Sequence, residues 1–224
     1  MSVLILMRHG RAAFGAETYD TLSATGRAQA QATGRWFAGQ GLPVTLVWHG
    51  PRRRQAETAA EVVSHGRLIA PMTEAAGLDE FGEGEELLQL AAARTGRPMS
   101  GPEAPPRLEQ LRAYDAAIAA WAAGEAVIPG REDYQSFRRR VRDWLAETLA
   151  APGPRGRAEL VVTSAGVIAA IASEALGLPD SRWVELLRAL GNASLTEISF
   201  SSRGHGLTSF NTTGHLPADL LSGI

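Results

Sequence analysis

The tripeptide Arg8-His9-Gly10 follows directly on the apolar run Val3-Leu4-Ile5-Leu6-Met7. A short, uninterrupted apolar run reads as a buried parallel strand. Open α/β sheets bind ligands outside the carboxyl ends of such strands. A histidine at that position presents a neutral imidazole nitrogen as a nucleophile, and the neighbouring guanidinium can hold an anion beside it.

Three later segments fit the same chemistry. In Gly50-Pro51-Arg52-Arg53-Arg54-Gln55-Ala56-Glu57-Thr58-Ala59 an arginine sits in the first turn of a helix that starts behind a strand. Its guanidinium and the free backbone N–H groups of the helix both favour a phosphate dianion. Arg52 and Arg53 read as a solvated face. Arg54 is the functional candidate, because the helix buries Thr58-Ala59 four residues on and so turns Arg54 to the sheet edge. The acidic loop from Gly77 to Glu85 can supply a carboxylic acid that protonates a leaving alkoxide when its pKa is raised. Spacing does not choose among Asp79, Glu80 and Glu83, and acids also cluster naturally at the start of a helix. In Val161-Val162-Thr163-Ser164-Ala165-Gly166 small residues after a strand let the backbone approach a ligand closely. There Ser164 either points its hydroxyl at a phosphate or caps the following helix.

The elements that must position these groups alternate between strand and helix. Strands are expected at 3–7, 44–48, 159–163, 195–200 and 207–210, with a short one at Leu68-Ile69-Ala70. An irregular stretch is expected from Arg11 to Leu22. Ser23 is the expected N-cap of a helix ending near Gly39 and Gly41, and Pro51 suits the first position of the next. From Glu86 to about Ala150 the pattern turns to helical segments broken at 96–98 and 102–106. The expected fold class is α/β: a three-layer sandwich with a mostly parallel central sheet, helices on both faces and a helical insertion at about 86–150. Residues 1–224 then form a single domain.

Composition narrows the possibilities. The chain has 224 residues, 45% hydrophobic and 21% charged, ordinary for a globular protein. It contains no cysteine, which excludes disulfides, thiolate catalysis and cysteine-ligated metals. A formal net charge of −2 gives no global field toward nucleic acid or acidic membranes. No apolar stretch approaches the ~20 residues that span a bilayer. The first apolar run is too short for a signal peptide, so a cytoplasmic location is expected. His49, His65, His205 and His215 form no metal-ligand spacing. No metal and no cofactor are expected. Any anion binding must come from the local arginines, which suit a small phosphorylated substrate, and homo-oligomerisation is left open.

Together these segments resemble the histidine phosphatase superfamily, which also contains the phosphoglycerate mutases. Arg8-His9-Gly10 matches its Arg-His-Gly signature, which implies that His9 becomes phosphorylated. Gly50 to Ala59 resembles its Ser-Pro-Leu-x-Arg-Ala-x-Gln-Thr-Ala block and maps the phosphate-binding arginine onto Arg54. Leu78-Asp79-Glu80 resembles its Leu-x-Glu element, which selects Glu80 as acid and base. Ser23, Gly26 and Gln29-Ala30 match the usual start of the first helix, and segments 192–196 and 211–216 resemble late segments of the family. In two places the chain departs. Where the family has a second pocket histidine, this sequence has Ser164, and Arg11 to Leu22 lacks the asparagine many members carry. The resemblance implies a phosphomonoesterase with catalytic His9 and Glu80 and phosphate-binding Arg8, Arg54 and Ser164. His49, in the loop before Arg54, is a candidate to compensate in part for the missing histidine. A mutase is the same-chemistry alternative, ranked lower because little tail follows the last strand to close the site. A low-activity phosphate-binding protein of the same fold is the other alternative.

Overall fold

The computed structural model describes residues 1–13 and 20–222. Most of the irregular stretch expected between Arg11 and Leu22 therefore lies outside the described residues, although Ala12 and Leu22 pair across an isolated antiparallel bridge.

The first apolar run forms β1 (Ser2–Arg8), near the centre of a six-stranded sheet of order β3-β2-β4-β1-β5-β6. β2 (Val44–His49), β3 (Met72–Glu74) and β4 (Ala158–Thr163) run parallel to it. β5 (Leu195–Ser201) and β6 (Gly204–Thr212) are antiparallel and close the other edge. In register, Arg8 pairs with Thr163 and His49 with Val162. The carboxyl ends of β1, β4 and β2 thus form one edge, where the Arg8-His9, Ser164 and His49 segments emerge side by side.

Alternate side chains of β1 serve two cores, as the two-residue period of a strand requires. Ile5 and Met7 pack with Val47, Leu160 and Val162 beneath α1 (Ala24–Gln40) and α2 (Arg53–Gly66). Leu4 and Leu6 pack with Val161 and Ile198 beneath the remaining helices. These are α3 (Gly84–Thr95), α4 (Arg107–Ala122), α5 (Tyr134–Ala150), α6 (Ala165–Ala175) and α7 (Trp183–Ala189). Each aliphatic side chain fully buried here stabilises the fold by about 1.5–3 kcal/mol. The three-layer α/β sandwich is therefore present, and α3 to α5, the helices of the expected insertion, share a core with the sheet.

Several boundaries differ from the sequence expectation, each for a local reason. Ser23 does cap α1, accepting from the Gly26 N–H, but the helix runs through Gly39 and ends at Gly41, whose φ of 60° turns the chain left-handed. Pro51 precedes α2 instead of opening it. Arg52 is the N-cap, and the Gln55 side chain accepts from the Arg52 N–H to close the first turn. Leu68-Ile69-Ala70 forms no strand. The Leu68 N–H goes back to the Val63 carbonyl and its side chain packs under α2, so β3 begins only beyond Pro71. The periodicity gave no warning of α7, a single short helix whose Trp183 is fully buried.

Candidate active site

His9 leaves β1 with its backbone N–H bonded to the Thr163 carbonyl, which fixes the loop to the end of β4. Its side chain is 7% exposed. The ring Nδ1 lies 2.8 Å from the Gly10 carbonyl, an acceptor only, so Nδ1 carries the proton and Nε2 the lone pair. Burial holds the His9 pKa well below the usual histidine range, and the positive charges of Arg54 and Arg8 act in the same direction. A neutral imidazole with a free-electron-pair Nε2 is the form a nucleophile needs.

Arg54 reaches this nitrogen from the first turn of α2, with Nε 3.3 Å from His9 Nε2. Its Nη1 is held by Asp20 at 2.8 Å and Glu83 at 2.9 Å. Thr58, one turn along α2, accepts from the Gly10 N–H and donates to the Arg54 carbonyl, joining the helix to the histidine loop. Arg8, the last residue of β1, is 9% exposed and donates to the Leu190 carbonyl.

The three candidate acids are separated by their surroundings. Glu80 is aimed into the site: Oε2 accepts from the Gly166 N–H at the start of α6, and Oε1 accepts from the Phe81 N–H. Burial pushes its pKa above the usual carboxylate range, although these N–H groups and both arginines oppose the shift. Asp79 instead accepts from Arg52 Nε at 2.5 Å, and Glu83 bridges Arg52 and Arg54. Arg52 is thus not the solvated group its position suggested. Its side chain is 14% exposed and neutralises the acids flanking Glu80, whereas Arg53, at 63%, does lie on the surface. Phe81 stacks on Trp121 with centroids 4.6 Å apart and packs edge-on to Trp183 and Phe137, anchoring the loop that carries Glu80.

Arg8, His9, Arg54 and Glu80 line one pocket of about 90 Å³. Its other wall comes from α3, α4 and α7 through Leu87, Tyr114, Ile118 and Leu187. Sequence reasoning missed this wall and also Asp20, the carboxylate on Arg54. Apolar residues on amphipathic helices carry no mark that separates a pocket wall from ordinary core.

The family model of the histidine phosphatase superfamily (branch 1) matches residues 4–213. The chain belongs to that superfamily. No curated protein matches it in sequence. Among solved structures it is similar to a phosphoserine phosphatase mutant from Entamoeba histolytica in complex with phosphoserine, at 20% identity and a TM-score of 0.66, covering 97% of this chain and 100% of the other. It also resembles the alpha-ribazole phosphatase from Shigella flexneri, at 21% identity and a TM-score of 0.66, covering 94% and 96% of the two chains. A third is a mycobacterial glucosyl-3-phosphoglycerate phosphatase, at 24% identity and a TM-score of 0.64, covering 94% and 99%. At these identities the likeness is one of fold.

Within this superfamily member, Ser164 stands behind the pocket surface. It is the N-cap of α6, yet its hydroxyl makes no cap bond. It accepts instead from Gln55 Nε2 at 2.8 Å and is 1% exposed, while the following residue, Ala165, lines the pocket. His49 repeats the His9 arrangement, with Nδ1 2.8 Å from the Gly50 carbonyl, but is not among the pocket-lining residues. His215 lies 3.1 Å from the Thr33 hydroxyl under α1, and His65 sits beside Glu61 on α2. Among the described residues no three His, Asp or Glu side chains gather as a metal site, and no helix is long and apolar enough to cross a membrane.

Proposed function

We propose that this protein hydrolyses a phosphomonoester through a phosphohistidine on His9. The observation that carries the reading is the orientation of His9. Its Nδ1 is fixed on the Gly10 carbonyl, and its Nε2 faces the pocket that also holds Arg8, Arg54 and Glu80.

The bound phosphate takes over the Arg54 Nε–H, freeing the Nε2 lone pair. Nε2 attacks phosphorus in line and the ester P–O bond breaks. Arg8 and Arg54 neutralise the equatorial oxygens, the electrostatic work on which phosphoryl transfer depends. Protonated Glu80 gives its proton to the leaving alkoxide. The resulting carboxylate then removes a proton from a water, which attacks phosphorus as the P–N bond breaks; inorganic phosphate leaves, His9 is neutral and Glu80 is protonated again. The two guanidinium groups supply the positive charge, so the reaction is written without a metal.

Ser164 takes an indirect share in this proposal. It holds Gln55, and with it the first turn of α2 that carries Arg54. One observation favours a slower, mainly phosphate-binding protein as the second reading: Ser164 is 1% exposed and is not among the pocket-lining residues, so its hydroxyl does not supply the contact of the family's second histidine. Phosphate release from an aryl phosphate, with and without chelator, tests the proposal. Turnover that is unchanged by chelator and abolished in His9→Ala is expected. Phosphate binding without release would favour the second reading.

A further inference from the structure

The alcohol side of the pocket has a chemistry of its own. Glu80 must stand at the leaving oxygen, and the chain continues from it as Phe81-Gly82, so the alcohol lies on the side away from Arg8 and Arg54. The wall there is Leu87, Ile118 and Leu187, which are 2%, 1% and 4% exposed, with half-buried Tyr114 beside them. Among the described lining residues none of that wall is charged. The charged residues next to this wall in sequence are themselves paired, Asp115 with Arg188 at 3.1 Å and Glu86 with Arg131 at 2.9 Å. The acids on the opposite side, Asp20 and Glu83, are held by Arg54. Phe14-Gly15-Ala16-Glu17-Thr18-Tyr19, outside the described residues, include no cation and one acid, Glu17.

A carboxylate on the alcohol would meet hydrocarbon in place of a guanidinium, and among the described lining residues an ammonium would find no acid except Glu80, whose two oxygens already accept from the Gly166 and Phe81 N–H groups. Either charge loses its water without a partner, a cost that far exceeds the small gain of an additional apolar contact.

Resting on the phosphatase reading, we propose that the site selects phosphate esters of uncharged alcohols that are apolar next to the ester oxygen. Esters bearing a carboxylate or ammonium there are discriminated against.

Propyl phosphate, phosphoserine and 3-phosphoglycerate test this by kcat/KM for phosphate release from the intact protein. The hydroxyls of serine and glycerate are better leaving groups than propanol, so leaving-group chemistry alone favours the charged esters. The opposite order is expected, with propyl phosphate ahead by about 100-fold. Tyr114→Arg, at the half-buried position of that wall, is expected to narrow the ratio of propyl phosphate to 3-phosphoglycerate at least several-fold. Equal or faster turnover of either charged ester overturns the proposal. Calorimetry with two phosphonates, which cannot be hydrolysed, reads the wall separately from catalysis. Butylphosphonate is expected to bind more tightly than 3-phosphonopropionate. If butylphosphonate binds better but no ester is hydrolysed, the wall stands and the phosphatase reading falls. If 3-phosphonopropionate binds as well or better, or neither phosphonate binds, this proposal is overturned.

Discussion

At the scale of single residues, two side chains of the site have pKa values that move in opposite directions for the same reason. Burial lowers the His9 pKa and raises that of Glu80, because desolvation penalises whichever form is charged. The sign of the pH dependence follows. As pH falls, activity is lost when His9 Nε2 takes a proton, and with a lowered pKa that limb lies below the usual histidine range. As pH rises, activity is lost when Glu80 ionises, and with a raised pKa that limb lies above the usual carboxylate range. Glu80→Gln is expected to remove the alkaline limb from the kcat/KM profile. It should slow alkyl phosphates by about 100-fold or more while affecting aryl phosphates with acidic phenols much less. Equal losses across a leaving-group series would remove Glu80 from the role. The sequence showed His9 and Arg54 through local context alone, because strand ends and helix starts are local features. It did not separate Glu80 from Asp79 and Glu83 without the family resemblance. That choice is made by contacts from distant parts of the chain: Arg52 and Arg54 hold the two flanking acids, and Gly166 receives the third.

At the scale of elements, the first turns of α2 and α6 are the supports of the site. A Cβ on Gly166 would lie 2.2 Å from Glu80 Oε1 and 2.7 Å from the Phe81 ring. Gly166→Ala is therefore expected to push Glu80 out of place and copy the leaving-group dependence of Glu80→Gln, with a melting temperature that drops modestly. A change in stability with no change in that dependence would show that Glu80 has room to move. The Gln55–Ser164 bond links the same two turns. Gln55 also leaves no room for a side chain at Gly50, where a Cβ would lie 2.1 Å from its Oε1. In the family's sequence pattern these three positions read serine, alanine and histidine; here Gln55 lies against both Gly50 and Ser164, so the three are expected to behave as a set. Ser164→Ala leaves a buried amide donor unpaired and is expected to cost about 1–3 kcal/mol in chemical denaturation. In Gln55→Ala background the same change should cost much less. A large loss of rate in Ser164→Ala without loss of stability would instead place its hydroxyl on the phosphate. Strand positions were legible from apolar runs. α7 and the true start of β3 were not, because a short helix has too few turns to show a period and Leu68 is drawn into the core by contacts across the sheet.

At the scale of the whole molecule, the fold brings residues 8, 54, 80 and 166 to one sheet edge because β1, β2 and β4 run parallel and stop in register. That alternation of strand and helix was readable in the sequence, and so was the helical stretch near 86–150. What the stretch does was not readable, since its Leu87 and Ile118, like Leu187 of α7, look like any other core residues until the chain folds them around the His9 pocket. The central claim, that His9 carries the phosphoryl group between the two half-reactions, has one direct measurement. Protein mixed with an aryl phosphate, quenched under alkaline conditions during turnover and analysed by intact-mass and peptide mass spectrometry should show one acid-labile phosphoryl group on the peptide containing His9, and none in His9→Ala. Turnover with no phosphoryl-protein at any quench time, or a phosphoryl group that persists in His9→Ala, would contradict it.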